Sequence, residues 1–296
     1  MKIFLNFLLL VVGLTFTFIL FSHVLPNFQT FKEADEEIDF SNFIYVAINS
    51  FWLCSAILYI SKKSYKTNKE IILRLSFSLF FIYAFMPQIE TLLFKSAFFV
   101  VSRTEILFMM IAAGVPVVLS VLLGVKLFRD NFKPSRYSRS QRNFTVSELT
   151  VKLLLSGFFY LIIYFVFNYF IAWQIEDFRI FYTGSSEKIK FEALLIEIWN
   201  TNPSIYLFQF ARGVLFGIFI LPIVDMFKNK SLVMLTCIIL LFEASAVHLI
   251  IPDLLLPDTV RMGHLLETTS SLFLFSIINW LMFKKIKSYG SNYKYY

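Results

Sequence analysis

The chain of 296 residues is 58% hydrophobic and 16% charged, with a mean hydropathy of +0.71. A soluble domain averages about 45–50% apolar and about 25% charged residues, so these values exclude a soluble globular domain, a disordered chain and a disulfide-dense scaffold. The formal charge of +7 would point to nucleic acid only if the basic residues shared one soluble face, and they are dispersed over short separate loops.

Crossing the hydrocarbon core takes about 20 apolar residues in a helix. Eight stretches qualify, at roughly 3–25, 42–60, 71–94, 106–127, 149–173, 205–227, 232–251 and 262–283. The expected fold is an all-α polytopic transmembrane helix bundle, with residues 1–296 as one integral membrane domain. The first stretch is read as a retained span. Ile3 to Phe21 is too long for a signal-peptide core, and no small-x-small cleavage pattern precedes His23 and Pro26. Cys54 and Cys237 fall within apolar stretches and read as buried thiols.

The loops alternate in charge. Basic ones carry Lys62, Lys63, Lys66 and Lys69, then Lys126, Arg129, Lys133, Arg136, Arg139 and Arg142, then Lys228 and Lys230, and finally Lys284, Lys285, Lys287 and Lys294. Between them, loop 26–41 holds Glu33, Asp35, Glu36, Glu37 and Asp39 against Lys32. Loop 174–204 holds Glu176, Asp177, Glu187, Glu192 and Glu197 against Arg179, Lys188 and Lys190. An excess of Lys and Arg marks cytoplasmic loops, which places both termini in the cytoplasm. The basic balance is thus a topology signal, and no nucleic-acid partner is expected.

Two helix starts carry a capping-box pattern, Ser102-x-x-Glu105 before the fourth span and Thr145-x-x-Glu148 before the fifth. No internal or inverted repeat is visible. In the 31-residue outer loop, Phe191, Leu194, Leu195, Ile198 and Trp199 recur at helical spacing, predicting an amphipathic helix over about 187–199. Such a helix either lies on the outer leaflet or forms a lid over a cavity.

Ionisable groups within a bilayer are costly, and by default they face an interior or a water-filled space. Glu90, with Gln88, ends the outward-running third span, and Gln209 and Arg212 sit in the first turns of the sixth. In the seventh, Glu243 is about 17 Å and His248 about 24 Å from the inner end at about 1.5 Å per residue. Arg261, His264 and Glu267 open the eighth span. All of these fall in the outer half, whereas the inner half has boundary charges such as Arg74 and Asp225.

Helical phase adds detail. His264, Glu267, Thr268 and Ser271 form one polar stripe, and Gln209, Arg212 and Gly213 share a face. Gly213-x-x-x-Gly217 permits close approach of another helix. Glu243 and His248 lie about 140° apart around their helix, so they do not both point at one centre. The expectation is an outward-facing polar pocket between spans six, seven and eight, with Glu90 as a fourth contributor. The alternative is that the same charges only pair with one another. His248, His264 and Glu267 have zinc-ligand chemistry, but neither H-E-x-x-H nor a C-x-x-C pair is present. G-x-S-x-G, Walker and dinucleotide motifs are absent too, so no cofactor is indicated.

Three groups of residues stand out together: Tyr169-Phe-Ile-Ala-Trp-Gln174 with Arg179 and Tyr182-Thr-Gly184, Gln209-Phe-Ala-Arg-Gly213 with Leu221-Pro222, and Pro257-Asp-Thr-Val-Arg261 with His264, Glu267, Ser270 and Ser271. Together they resemble a family of uncharacterised bacterial polytopic inner-membrane proteins. The resemblance covers mainly residues 169–283, with Gln88-Ile-Glu90 in the first half, and implies a bacterial cytoplasmic-membrane location without an activity. The Glu-Glu-x-x-x-Arg element of CAAX-type intramembrane proteases is missing.

The leading expectation is a membrane protein that binds or moves a small polar or lipid-headgroup ligand. Arg212 would pair an anionic group, Glu267 and Glu243 would balance it, and His264 would titrate near the ordinary histidine pKa of about 6.5. Broken helices at Pro116 or Pro222 would open the inner half for transport. The other two expectations are an intramembrane acid–base or metal-dependent enzyme at the outer leaflet, and an assembly subunit whose charges only pair.

Overall fold

The computed structural model describes residues 1–22, 40–93, 102–129, 144–227, 231–252 and 256–284. Most of loop 26–41, the centre of the basic loop at 130–143, Lys228, Lys230 and the basic residues beyond Lys284 lie outside the described residues, as do His23 and Pro26.

Among the described residues every regular element is helical, and eight helices are long and apolar enough to cross a membrane. The protein is therefore an all-α polytopic integral membrane protein. The spans, numbered in chain order, are Lys2–Ser22, Phe40–Lys63, a composite third from Asn68 to Leu93, Arg103–Arg129, Val146–Phe170, Ser204–Val224, Ser231–Val247 and Asp258–Phe283. Each predicted span is present, with ends displaced by a few residues. The displacement comes from polar residues such as Asn68, Arg103 and Asp258, which hydropathy excludes but the helices include.

Local chemistry sets several helix starts. Thr145 accepts a hydrogen bond from the Glu148 amide at 3.2 Å, and Glu148 accepts one from the Thr145 amide at 2.9 Å. Ser102 and Glu105 exchange the same pair. A third capping box joins Thr67 and Glu70 at the start of span three, on the same four-residue pattern. These reciprocal bonds satisfy amides that have no partner within the helix.

Pro116 and Pro222 do not break their helices, contrary to the expectation for transport. Each lies inside a continuous helix, Arg103–Arg129 and Ser204–Val224. The irregular place is in span three, where Phe80–Phe85 widens into a π-helical turn. The first four spans pack on one another, and the last four form a second group in which span five contacts six and eight, and seven contacts eight. Span three against six, and two against seven, join the groups. One apolar core running from Leu10 to Phe283 spans both.

Candidate functional site

Span five ends at Phe170, and the chain then folds back over the end of the bundle that carries acidic loops. A 3-10 turn at Ala172–Gln174 leads into the short helix Glu176–Thr183, which closes on Gly184 at φ 73°. That left-handed backbone conformation suits glycine, which has no Cβ to clash. Arg179 is buried and holds the turn together, donating from Nε to the Ser186 carbonyl at 2.9 Å and from Nη1 to that of Trp173 at 2.8 Å. The Tyr169 hydroxyl donates to the Ile189 carbonyl at 2.9 Å. The amphipathic helix follows at Phe191–Thr201, starting later than residue 187 because residues 185–190 form no regular structure. Trp173, Phe178, Leu194 and Val260 pack into a second, smaller apolar cluster that ties this roof to span eight.

Beneath the roof lies a cavity of about 830 Å³. Its walls come from the end of span three, the start of four, the end of five, the start of six, the end of seven and the first half of eight. Because successive spans alternate in direction, all of these belong to one end of the bundle. Phe216 and Leu272 mark its depth. They stand twelve and fourteen residues into their helices, and at about 1.5 Å per residue the cavity reaches roughly 18–21 Å from the helix starts, about half-way along them.

Arg212 is the only lysine or arginine among the described lining residues. Its Nη1 donates to Glu90 Oε1 at 2.6 Å and to Gln209 Oε1 at 3.0 Å. Its guanidinium lies 5.5 Å from the Tyr160 ring centre and 5.8 Å from that of Phe208, so two aromatic faces support the charge. A tight helix crossing sets this position. A Cβ on Gly213 would stand 2.4 Å from the Tyr160 Cβ and 2.8 Å from the Gly157 Cα, so only glycine allows spans five and six this close.

Span eight supplies the opposite wall, with His264, Glu267, Thr268 and Ser271 all on the cavity. His264 Nε2 is 2.7 Å from the Tyr182 hydroxyl of the roof, and its ring lies 4.8 Å from that of Phe178. Glu267 is 6% exposed, accepts from the Thr268 hydroxyl at 3.2 Å, and has no Lys, Arg or His within salt-bridge distance among the described residues. His248, in the 3-10 turn that ends span seven, lines the cavity near Tyr83.

Three of the expected pocket residues lie outside this lining. Gln209 is buried and reaches along its helix to accept a hydrogen bond from Arg212. Arg261 is buried and donates from Nη1 to the carbonyls of Leu249 and Ile250 at 2.8 and 2.9 Å. It also pairs with Asp258, so it acts as a clamp between the end of span seven and the start of eight. Glu243 is buried away from the cavity, with Oε1 unpartnered, as the angle between it and His248 dictates. The grouping of spans six to eight also needs correction. Span six packs chiefly on five, because the glycines of its small-residue face meet Ser156, Gly157 and Tyr160.

No three His, Cys, Asp or Glu residues gather closely enough to hold a metal ion among the described residues, so His248, His264 and Glu267 do not form a ligand cluster. Sequence reading missed the aromatic walls, Tyr160, Tyr164 and Phe216 among them. With 38 Phe and 14 Tyr in the chain, nothing marks those few as cavity-facing. Comparison of the chain with protein-family models, with curated proteins and with solved structures finds no match.

Proposed function

We propose that this membrane protein binds a small polar or lipid-headgroup ligand in the cavity under its roof. The observation that carries the reading is the composition of that one space. About 830 Å³ is lined by apolar rings and a few converging polar groups, Arg212 with Glu90, His264 with Tyr182, and Glu267. Ligand sites are typically clefts of about 300–1,000 Å³ with this mixture. A purely structural role for the charges fits less well, because Glu267 faces the cavity with no counter-charge among the described residues.

The loop charges and the resemblance over residues 169–283 support a place in a bacterial cytoplasmic membrane, with the roofed end outside. The test is native mass spectrometry of the full chain purified in a maltoside detergent, beside the variant Ser271→Phe. Ser271 is buried on the cavity wall, and a phenyl ring there fills its deep end. The expected result is a bound small molecule on the wild type that is lost from a folded Ser271→Phe protein. A wild type that carries nothing, and that no added polar or lipid probe stabilises, would sink the reading.

A catalytic reading has its own observation, the 2.7 Å contact between Tyr182 and His264 one helical turn from Glu267. It is a positioned acid–base set on the same cavity. It predicts that Tyr182→Phe abolishes turnover of a bound molecule without abolishing binding.

A further inference from the structure

The acidic and basic side chains that line the cavity do not match in number among the described residues. Among the described residues its lining carries three carboxylates, Glu90, Glu197 and Glu267, against one guanidinium. Glu90 and Arg212 neutralise each other at 2.6 Å. Glu197 is exposed at the rim, where water screens it. Glu267 is left: more than nine-tenths buried, on the cavity wall, with a hydroxyl as its hydrogen-bond partner and no cation beside it. A buried carboxylate without a counter-charge carries a large desolvation cost, which attraction to an arriving positive charge would offset.

The rest of the wall suits such a charge. Eight aromatic side chains among the described residues line the same space, and three of them, Tyr160, Phe178 and Tyr182, flank Arg212 or His264 directly. Aromatic faces attract cations, and they do so most effectively where water is excluded, as in sites for quaternary ammonium groups. An anion entering this space would meet one guanidinium already held by Glu90 and Gln209.

We propose, building on the ligand-pocket reading above, that the ligand brings a positive charge, and that the cavity is a receptor for an ammonium group with Glu267 as its counter-ion and the aromatic wall around it. This reverses the sequence-based expectation that Arg212 receives an anionic ligand. An ammonium group reaches the site either as a free small amine or as the headgroup of an amphipathic molecule, and the apolar remainder of the wall accommodates either.

The experiment uses the full chain in a non-ionic maltoside detergent and follows binding by titration calorimetry and by the thermal unfolding midpoint. The probes are choline, its neutral isostere 3,3-dimethylbutanol, inorganic phosphate, and dodecyltrimethylammonium below its micelle concentration. The expected order has choline binding at least tenfold more tightly than the neutral isostere, with phosphate weakest. Glu267→Gln should weaken choline at least tenfold, and Glu267→Asp should restore part of the loss. Tighter binding of the dodecyl probe than of choline assigns the ammonium to an amphipath, and equal binding assigns it to a free amine. Phosphate binding better than choline, or equal binding of choline and its isostere, would overturn the proposal while leaving a ligand pocket in place. Absence of binding by every probe, with nothing co-purifying, would overturn the pocket reading as well. The comparison of choline with its isostere needs only the wild-type protein, so it stands even where the Glu267 variants fold poorly.

Discussion

The two ends of the bundle treat buried charge in opposite ways. At the end with basic loops, Asp225 Oδ2 lies 3.0 Å from Lys66 Nζ and 3.0 Å from Arg74 Nη1, so one carboxylate meets two cations. Arg129 spreads its guanidinium over three carbonyls, those of Ser61 and Ser64 at 2.7 and 3.2 Å and of Lys66 at 3.0 Å. The Tyr65 hydroxyl adds a bond to the Asp225 carbonyl at 2.7 Å. Under the roof, by contrast, Arg212 is matched by Glu90 but Glu267 has no matching cation among the described residues, and the groups surround a space of about 830 Å³. Charge that closes on itself fastens loops together. Charge left facing a cavity is available to a ligand. That difference is the physical ground for treating the first cluster as structural and the second as the candidate ligand site.

The sharpest test of that contrast is Arg129→Ala. It strands three carbonyls beside the 61–67 turn and removes a buried clamp. Each buried group left without a partner costs about 1–3 kcal/mol, so a total loss of about 3 kcal/mol or more is expected. Thermal unfolding in detergent should show the lowest midpoint of the variants discussed, while choline affinity per folded molecule stays unchanged. Loss of binding without loss of stability would break the distinction between the ends.

Arg212→Met comes next and should affect both properties. Glu90 is left without its cation, but its side chain is a third exposed, so water compensates in part. The expected stability loss is about 1–2 kcal/mol. Binding should change with ligand charge: choline is held at least as tightly, because the freed Glu90 adds a second carboxylate, and any residual phosphate binding disappears. Calorimetry with both probes reads this directly, and a choline loss larger than the phosphate loss would assign Arg212 to the ammonium site instead.

Much of this arrangement is legible in the sequence, for specific physical reasons. Span lengths follow from bilayer thickness, and the polar stripe of His264, Glu267, Thr268 and Ser271 follows from 3.6 residues per turn. Both survive without tertiary information because each is a property of one helix. What the sequence hides is the partnership between helices. Arg261 and Arg212 look alike as basic residues near the start of a span, yet one binds carbonyls of the preceding turn and the other a glutamate 122 residues away. The roof is hidden for a related reason. Glu176–Thr183 is only eight residues long, too short for a periodic signal, and its hold on the bundle comes from the packing of Phe178 and Val260.

A smaller effect is expected at the helix starts. Thr145 caps span five from an exposed position at the basic end. Replacing it with alanine removes the side-chain bond to the Glu148 amide, worth about 1 kcal/mol. Thr145→Ala should therefore lower the unfolding midpoint modestly and leave every probe affinity as it was. An effect on binding would mean that span five transmits strain to Tyr160 and the cavity.

The smallest loss is expected at Glu243, where the sign of the change is the most discriminating. It lies in the apolar seventh span, 5% exposed, outside the cavity lining, with Oε1 unpartnered. Its neighbours along the chain, Phe242 and Ala244, are fully buried in the core. A polar group in such a place is a net cost, and replacing it with an apolar residue of similar volume is neutral or stabilising, by about 1 kcal/mol or more. Methionine matches glutamate in length and adapts to irregular space. Glu243→Met is expected to hold or raise the unfolding midpoint and to leave choline binding intact. Glu267→Gln, which also removes a buried carboxylate charge, is expected to abolish most of that binding. Two glutamates of similar burial, on adjacent helices, thus separate by whether the carboxylate opens onto the cavity. If Glu243→Met instead lost choline affinity in a stably folded protein, the receptor would have to extend beyond the cavity wall into span seven, and position on that wall would no longer identify the functional charge.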